Sequence, residues 1–244
     1  METATTGGIL LIADISGFTE FVRDHAKSAS HASQIVSRLL KAIMAESTPP
    51  LSVAELEGDA VFFYALGSKN DLPKVAEQVK AQIPRLFRAF TRELKLLSTR
   101  PRCDCHACGS IGALRLKQVA HAGEVAVEKI DRFEKLFGLD VIVIHRMLKN
   151  SLSEPEYVML SEPAFSAFDG FFGLEPETRV ETLDGVGELA MRVFSAEQLA
   201  TLQDDLDRTE GPAANPTFGQ IVRWKLGVQL HTFVDTVLRP RQYS

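Results

Sequence analysis

Two apolar runs in this chain are each bounded by an aspartate with a glycine close by, and both must fit into one core. The first is Ile9-Leu10-Leu11-Ile12-Ala13-Asp14-Ile15-Ser16-Gly17-Phe18-Thr19, and the second is Glu55-Leu56-Glu57-Gly58-Asp59-Ala60-Val61-Phe62-Phe63-Tyr64. A continuous apolar run bounded by Gly7-Gly8 and Ser16-Gly17 reads as a buried strand. A carboxylate at the end of such a strand is costly unless a cation or a hydrogen bond satisfies it. Two that face one another repel, and a divalent cation is the usual remedy. A site rich in oxygen but poor in protein ligands suits Mg²⁺, which completes its shell with water and phosphates. The pair Asp14 and Asp59 therefore predicts a metal–triphosphate site.

Bulk properties narrow the alternatives. The net charge of −5 over 244 residues, with no basic cluster, argues against nucleic acid as the main partner. Ile9 to Ala13 is too short to span a bilayer and lacks a charged segment before it, so neither a membrane nor a signal peptide is expected. The cytoplasm is the expected compartment. All three cysteines fall in Cys103-Asp104-Cys105-His106-Ala107-Cys108, an odd, clustered set that makes a poor disulfide framework. Zinc held by Cys103, Cys105, Cys108 and either His106 or His121 competes with a reduced surface loop, and the loop is favoured. His25, His31, His145 and His231 carry no partner pattern and read as structural.

Along the chain, the pattern predicts a helix start at Phe18, a helix over 32–46 and strands over 51–56 and 60–66 about a turn at Glu57-Gly58-Asp59. A long helix over 72–97 is kinked at Pro84. A strand pair follows over 113–121 and 124–130 around Gly123. Then come a helix over 140–152, a strand over 157–160, a helical turn over 163–168 and a last pair over 180–183 and 188–194. The polar stretch 204–212 reads as a linker. Beyond it, Phe218, Ile221, Val222, Leu226, Leu230, Phe233, Val234 and Val237 trace an amphipathic helix that packs on the body or serves a partner. The domain division expected is 1–195 and 196–244. The order describes an α+β fold, an antiparallel sheet carrying helices on one face.

The Asp14-Ile15-Ser16-Gly17-Phe18-Thr19 string and the Gly58-Asp59-Ala60 hairpin, 45 positions apart, resemble the metal-binding strands of class III nucleotidyl cyclases. His121-Ala122-Gly123-Glu124-Val125 resembles the glycine-glutamate hairpin that follows in that family, and Phe137-Gly138 with Arg146-Met147 resembles its next helix. The resemblance spans roughly residues 8 to 195, with the three-cysteine loop marking a bacterial branch. It implies a ferredoxin-like, cyclase-type antiparallel sheet with helices packed on it.

The resemblance also implies roles. Asp14 and Asp59, with the Ile15 carbonyl, would hold Mg²⁺ or Mn²⁺, with Ca²⁺ a further candidate. Ser16, Gly17, Phe18 and Thr19 would meet phosphate at a helix N-terminus, with Gly58 beside it in the hairpin. Glu55 stands at the base-selecting position and its partner position is Lys135, a combination matching neither the adenine nor the guanine pattern. Arg146 stands where the family has its transition-state arginine. The asparagine expected four residues earlier is Ile142, which cannot hydrogen-bond a ribose oxygen; Asn150, one turn after Arg146, is the candidate substitute. The implied function is binding of a nucleoside triphosphate, ATP or GTP, with cyclase activity weak or lost. An active cyclase working through a homodimeric site, and a non-catalytic protein-interaction module, are the alternatives; the sequence admits a monomer as well as a homodimer.

Overall fold

The computed structural model describes residues 5–23, 29–99 and 109–211. Its spine is β1 (Thr6–Ser16), in which Ile9 to Ala13 are all fully buried. Burial of consecutive residues means that both faces of the strand are covered, which places it in the middle of a sheet. It pairs antiparallel with β3 (Ala60–Gly67) on one side and β4 (Arg115–Ile130) on the other. With β2 (Ser52–Glu57), β6 (Tyr157–Ser161), β7 (Glu177–Leu183) and β8 (Gly187–Ser195), the order is β2-β3-β1-β4-β6-β8-β7. A further strand, β5 (Phe133–Phe137), pairs with the second half of β4. Among the described residues only β4 and β6 run parallel; every other pairing is antiparallel. The expected α+β class is the observed one.

Seven α-helices surround this sheet among the described residues: α1 (Phe18–Arg23), α2 (Ala29–Glu46), α3 (Leu72–Lys80), α4 (Ile83–Thr99), α5 (Leu139–Met147), α6 (Glu162–Ala167) and α7 (Ala196–Glu210). The helices α2 and α4 pack on each other and reach β3 and β4. The sheet carries a helix on its other face too, contrary to the one-faced expectation. There Val143, Ile144 and Met147 of α5 pack with Leu10, Ile12, Phe62, Val119, Tyr157 and Met159. Side chains alternate along a strand, so Ile9, Leu11 and Ala13 point to the opposite layer. None of the helices described is long and apolar enough to cross a membrane.

Four further features differ from the sequence reading. The single helix expected over 72–97 is two, α3 and α4. Pro84 has no N–H and would crowd the carbonyl of Lys80, so it sits in the first turn of a new helix, where no amide partner is missed. Gly123 is not a turn; β4 runs straight through it for 16 residues. The glycine serves close approach instead, since a Cβ there would lie 2.1 Å from Asp140 Cγ. The helix expected over 140–152 stops at Met147. Residues 204–210, expected to be linker, are the second half of α7, a helix capped by Ser195 and Gln198 and tied to α4 by Arg88 Nη2–Glu210 at 2.7 Å. The first compact unit thus extends to Gly211, past the boundary expected at residue 195. The amphipathic helix predicted beyond it lies outside the described residues, as does the cysteine loop.

Candidate metal–phosphate site

Two residues, Gly58 and Asp59, connect β2 to β3, because Glu57 pairs directly with Ala60. Gly58 has φ +69°, the left-handed value that a two-residue hairpin with glycine first requires. The turn lies against the end of β1. The Ile15 amide donates to the Asp59 carbonyl at 3.2 Å, and Asp14 is in register with Ala60. On its other side Asp14 is in register with Lys117 of β4, and Lys117 with Tyr157 of β6. Glu57, Ala60, Asp14, Lys117 and Tyr157 therefore form one row across five strands, on the face that α5 covers.

The electrostatics of the row are unbalanced. Lys117 Nζ lies 3.0 Å from Asp14 Oδ2, and it is the one ion-pair partner of Asp14 among the described residues. Asp59 has none among them. Its carboxyl is pushed up to about 6, first by burial and then by the negative Asp14; a hydrogen bond from its own backbone and the charge of Lys117 pull the other way. Burial, chiefly, also raises the Tyr157 phenol, against a hydrogen bond from Asn150. Beside the carboxylates, Ser16 Oγ is buried with no hydrogen-bond partner among the described residues. Gly17, with φ +85°, turns the chain into α1 and accepts from the Phe21 amide at 2.9 Å. The amides of Phe18 and Thr19 precede that first helical bond and have no acceptor within the helix.

The other candidate residues are held elsewhere. Glu55 is paired with Lys135 at 2.6 Å, across β2 and β5. Arg146 reaches Asp184, in the β7–β8 turn, at 3.2 Å. Asn150 Nδ2 donates to the Met147 carbonyl at 2.6 Å and to the Tyr157 hydroxyl at 2.7 Å, while its Oδ1 accepts from the Leu152 amide at 2.9 Å. Asn150 thus closes the end of α5 and touches the row only through Tyr157. Ile142 is half-exposed on α5. The structure brings Asp14, Ile15, Ser16, Gly17, Phe18, Thr19, Gly58 and Asp59 together at one corner, and leaves Glu55, Arg146 and Asn150 at its margin.

Sequence reasoning missed Lys117, Tyr157 and the pair of Glu57 with His145, whose Nε2 lies 2.8 Å from Glu57 Oε1. His145 also stands edge-on to the Phe62 ring, with centroids 5.0 Å apart. The cysteines of the zinc alternative lie outside the described residues. His121 has both ring nitrogens engaged, Nδ1 with Ser161 Oγ and Nε2 with Asp140 Oδ1, each at 2.8 Å. No cluster of three or more His, Cys, Asp or Glu that could hold a metal occurs among the described residues. Two carboxylates with a carbonyl nearby are nonetheless a sufficient protein set for an ion such as Mg²⁺, which keeps several waters and takes the rest of its shell from phosphate.

Comparison with known proteins bears on the fold. A family model described as protein of unknown function, DUF2652, matches residues 36–157. An uncharacterized protein of Mycobacterium tuberculosis is 33% identical over 154 residues, covering 63% of this chain and 69% of its own. Among solved structures, the adenylyl cyclase CyaB of P. aeruginosa superposes with a TM-score of 0.61 at 14% identity, over 80% of this chain and 97% of its own. The guanylate cyclase domain of RhGC from Catenaria anguillulae, in complex with GTP, gives 0.57 at 16%, over 79% and 98%. A class III adenylyl cyclase-like ATP-binding protein from Pseudomonas aeruginosa gives 0.54 at 20%, over 67% of this chain and 35% of its own. At these identities the likeness is one of fold, and the fold is that of a class III cyclase homology domain.

Proposed function

The chain belongs to the DUF2652 family, and we propose that it binds a nucleoside triphosphate, ATP or GTP, through a divalent cation, with cyclase activity weak or lost. One observation carries this reading: two carboxylates meet at the strand ends, and one ammonium, Lys117, is shared with them. A cation removes that deficit. Asp14 and Asp59, with the Ile15 carbonyl, would hold Mg²⁺ or Mn²⁺, and Ca²⁺ fits the same hard oxygen set. Such an ion supplies charge neutralisation and a template for phosphate oxygens. Once it shields Asp14, Lys117 is free to turn to a phosphate. The Ser16 hydroxyl and the amides of Phe18 and Thr19 supply donors beside it.

Turnover asks for more than this. Ile142 offers no hydrogen bond, and Arg146 and Asn150 are engaged with Asp184, Met147 and Tyr157. Loss of a positioning group of this kind costs on the order of a hundredfold or more in rate. The structural relatives described as ATP-binding and as complexed with GTP support a nucleotide in this fold. A cytoplasmic location suits such a ligand.

The test is calorimetric titration of the protein with ATP and with GTP in Mn²⁺, repeated in EDTA, with each sample assayed for cyclic nucleotide. Metal-dependent binding without product is expected; absence of binding sinks the reading. A second reading, an active enzyme completed by a second copy, is favoured by Leu139 and Ile142, which are 61% and 51% exposed on the helix that carries Arg146. Product formation rising steeply with protein concentration, together with a dimer in sedimentation, would support it.

A further inference from the structure

Resting on the metal–triphosphate reading above, we propose that the nucleoside end of the ligand occupies a cavity beside Tyr157, where Glu156 accepts the paired N–H donors of guanine, so that the site prefers GTP to ATP. The cavity measures about 410 Å³ and lies between the starts of β6 and β7, the end of β8 and the first turn of α7. That volume suits a small organic ligand.

Its position follows from the register that builds the metal corner. The row from Asp14 through Lys117 to Tyr157 continues to Ser195 of β8, and Tyr157 and Ser195 both line the cavity. Arg115, another lining residue, stands two residues before Lys117 on the same face of β4, in register with Ser16. Neighbouring strands are about 4.8 Å apart, so Tyr157 lies two spacings, about 10 Å, from Asp14. A nucleoside whose triphosphate is held at Asp14 and Asp59 reaches that far along the row.

The lining suits a base. Leu152, Pro155, Val193 and Ala196 give apolar surface for a flat ring to cover. Glu154, Glu177 and Glu197 are exposed at the rim. Glu156 is set deeper, its side chain 23% exposed, and accepts no hydrogen bond from a described residue; its ion-pair partner among them, Arg115 Nε, is at the long distance of 4.0 Å. Burial pushes the Glu156 carboxyl up, and the charge of Arg115 opposes this only in part. A carboxylate in that state gains from a ligand that brings donors. Guanine brings two, N1–H and N2–H, side by side, and a carboxylate accepts both at once. Adenine sets one N6–H beside the N1 lone pair, which repels the second carboxylate oxygen. The additional charge-assisted hydrogen bond is worth about tenfold or more in affinity.

The experiment titrates the full chain in Mn²⁺ with GTP, ATP and inorganic tripolyphosphate, and repeats the three with Glu156→Gln and with Glu55→Gln. The wild type is expected to bind GTP about tenfold tighter than ATP, and tripolyphosphate more weakly than GTP. Glutamine offers one acceptor and one donor, the complement of adenine's edge, so Glu156→Gln should lower GTP affinity about tenfold and turn the preference toward ATP. Equal weakening of all three ligands in Glu156→Gln marks a merely structural role and overturns the proposal. So does a wild-type difference between GTP and ATP below about threefold, or tripolyphosphate binding as tightly as GTP; either result leaves the metal–triphosphate reading standing. A preference that Glu55→Gln abolishes and Glu156→Gln does not puts the base on β2, which also overturns the proposal. No binding of any of the three overturns the reading on which it rests, and the proposal with it.

Discussion

Asp59 is held in an unfavourable state by the folded chain, and that has a measurable consequence. Burial and the neighbouring Asp14 push its carboxyl up to about 6 in the native protein, against about 3.9 in an unfolded one. Between those values the native state holds the proton that the unfolded state has lost, so stability falls as pH rises, and the whole penalty is present above about pH 6. A shift of that size corresponds to about 3 kcal/mol by linkage, which solvent screening of a partly exposed group reduces to about 1 kcal/mol. Asp59→Asn should therefore raise the melting temperature of the metal-free protein at pH 7.5 by about 2–4 °C and leave it nearly unchanged at pH 4; a thermal scan at the two pH values checks this. The same group must lose its proton to ligate a cation. Affinity for Mn²⁺ with a triphosphate should fall about tenfold per unit below pH 6, with uptake of one proton on release, as titrations in two buffers of different ionisation enthalpy would register. At this scale the sequence was legible where chemistry is local. Asp14, Ser16, Gly17, Gly58 and Asp59 stand in two short strings that each announce a strand end and a turn. Lys117 was not, because its role comes from register with Asp14, and register across a sheet is set by which faces are buried and not by neighbours along the chain.

Among the elements, β4 departs furthest from its sequence. Glycine in an apolar run suggests a turn, and a Gly-Glu pair after a strand reinforces that expectation. The structure uses Gly123 for space instead. Asp140 crosses the strand there, bonds His121 Nε2 at 2.8 Å and accepts from the Glu124 amide at 2.7 Å. His121 passes the contact on to Ser161 at the start of α6. This chain of bonds fixes the N-terminus of α5, the helix that covers the site row. Gly123→Ala should displace Asp140, strand a buried histidine and cost about 2–4 kcal/mol, readable as a lowered midpoint in urea with little change of slope. The helix at 196–210 was hidden for a different reason. Its run of Asp204, Asp205, Asp207 and Glu210 is polar enough to read as a linker, but Leu199 and Leu202 are buried and Arg85 and Arg88 of α4 receive its acidic end. Glu210→Gln removes one partner from both arginines; because the pairs lie at the surface with Glu210 about a third open to solvent, the loss should be only about 0.5–1 kcal/mol in the same urea titration.

At the level of the molecule, the α+β class and the cyclase-type sheet could be read from the order of strands and helices and from two motifs. The parallel β4–β6 pairing, the second helical layer and the extent of the first unit to Gly211 could not, since each depends on contacts between segments distant in sequence. The fold places its unbalanced carboxylates at one corner of the sheet, the feature on which the proposed triphosphate binding rests. The most direct measurement is calorimetry of Mn²⁺ with ATP on the wild-type chain and on Asp59→Asn at pH 7.5, each repeated in EDTA. The account predicts a saturable heat in the wild type that vanishes in EDTA and in the variant, even though the variant is the more heat-stable protein. A heat that persists in EDTA or in Asp59→Asn, or none in the wild type, would contradict it.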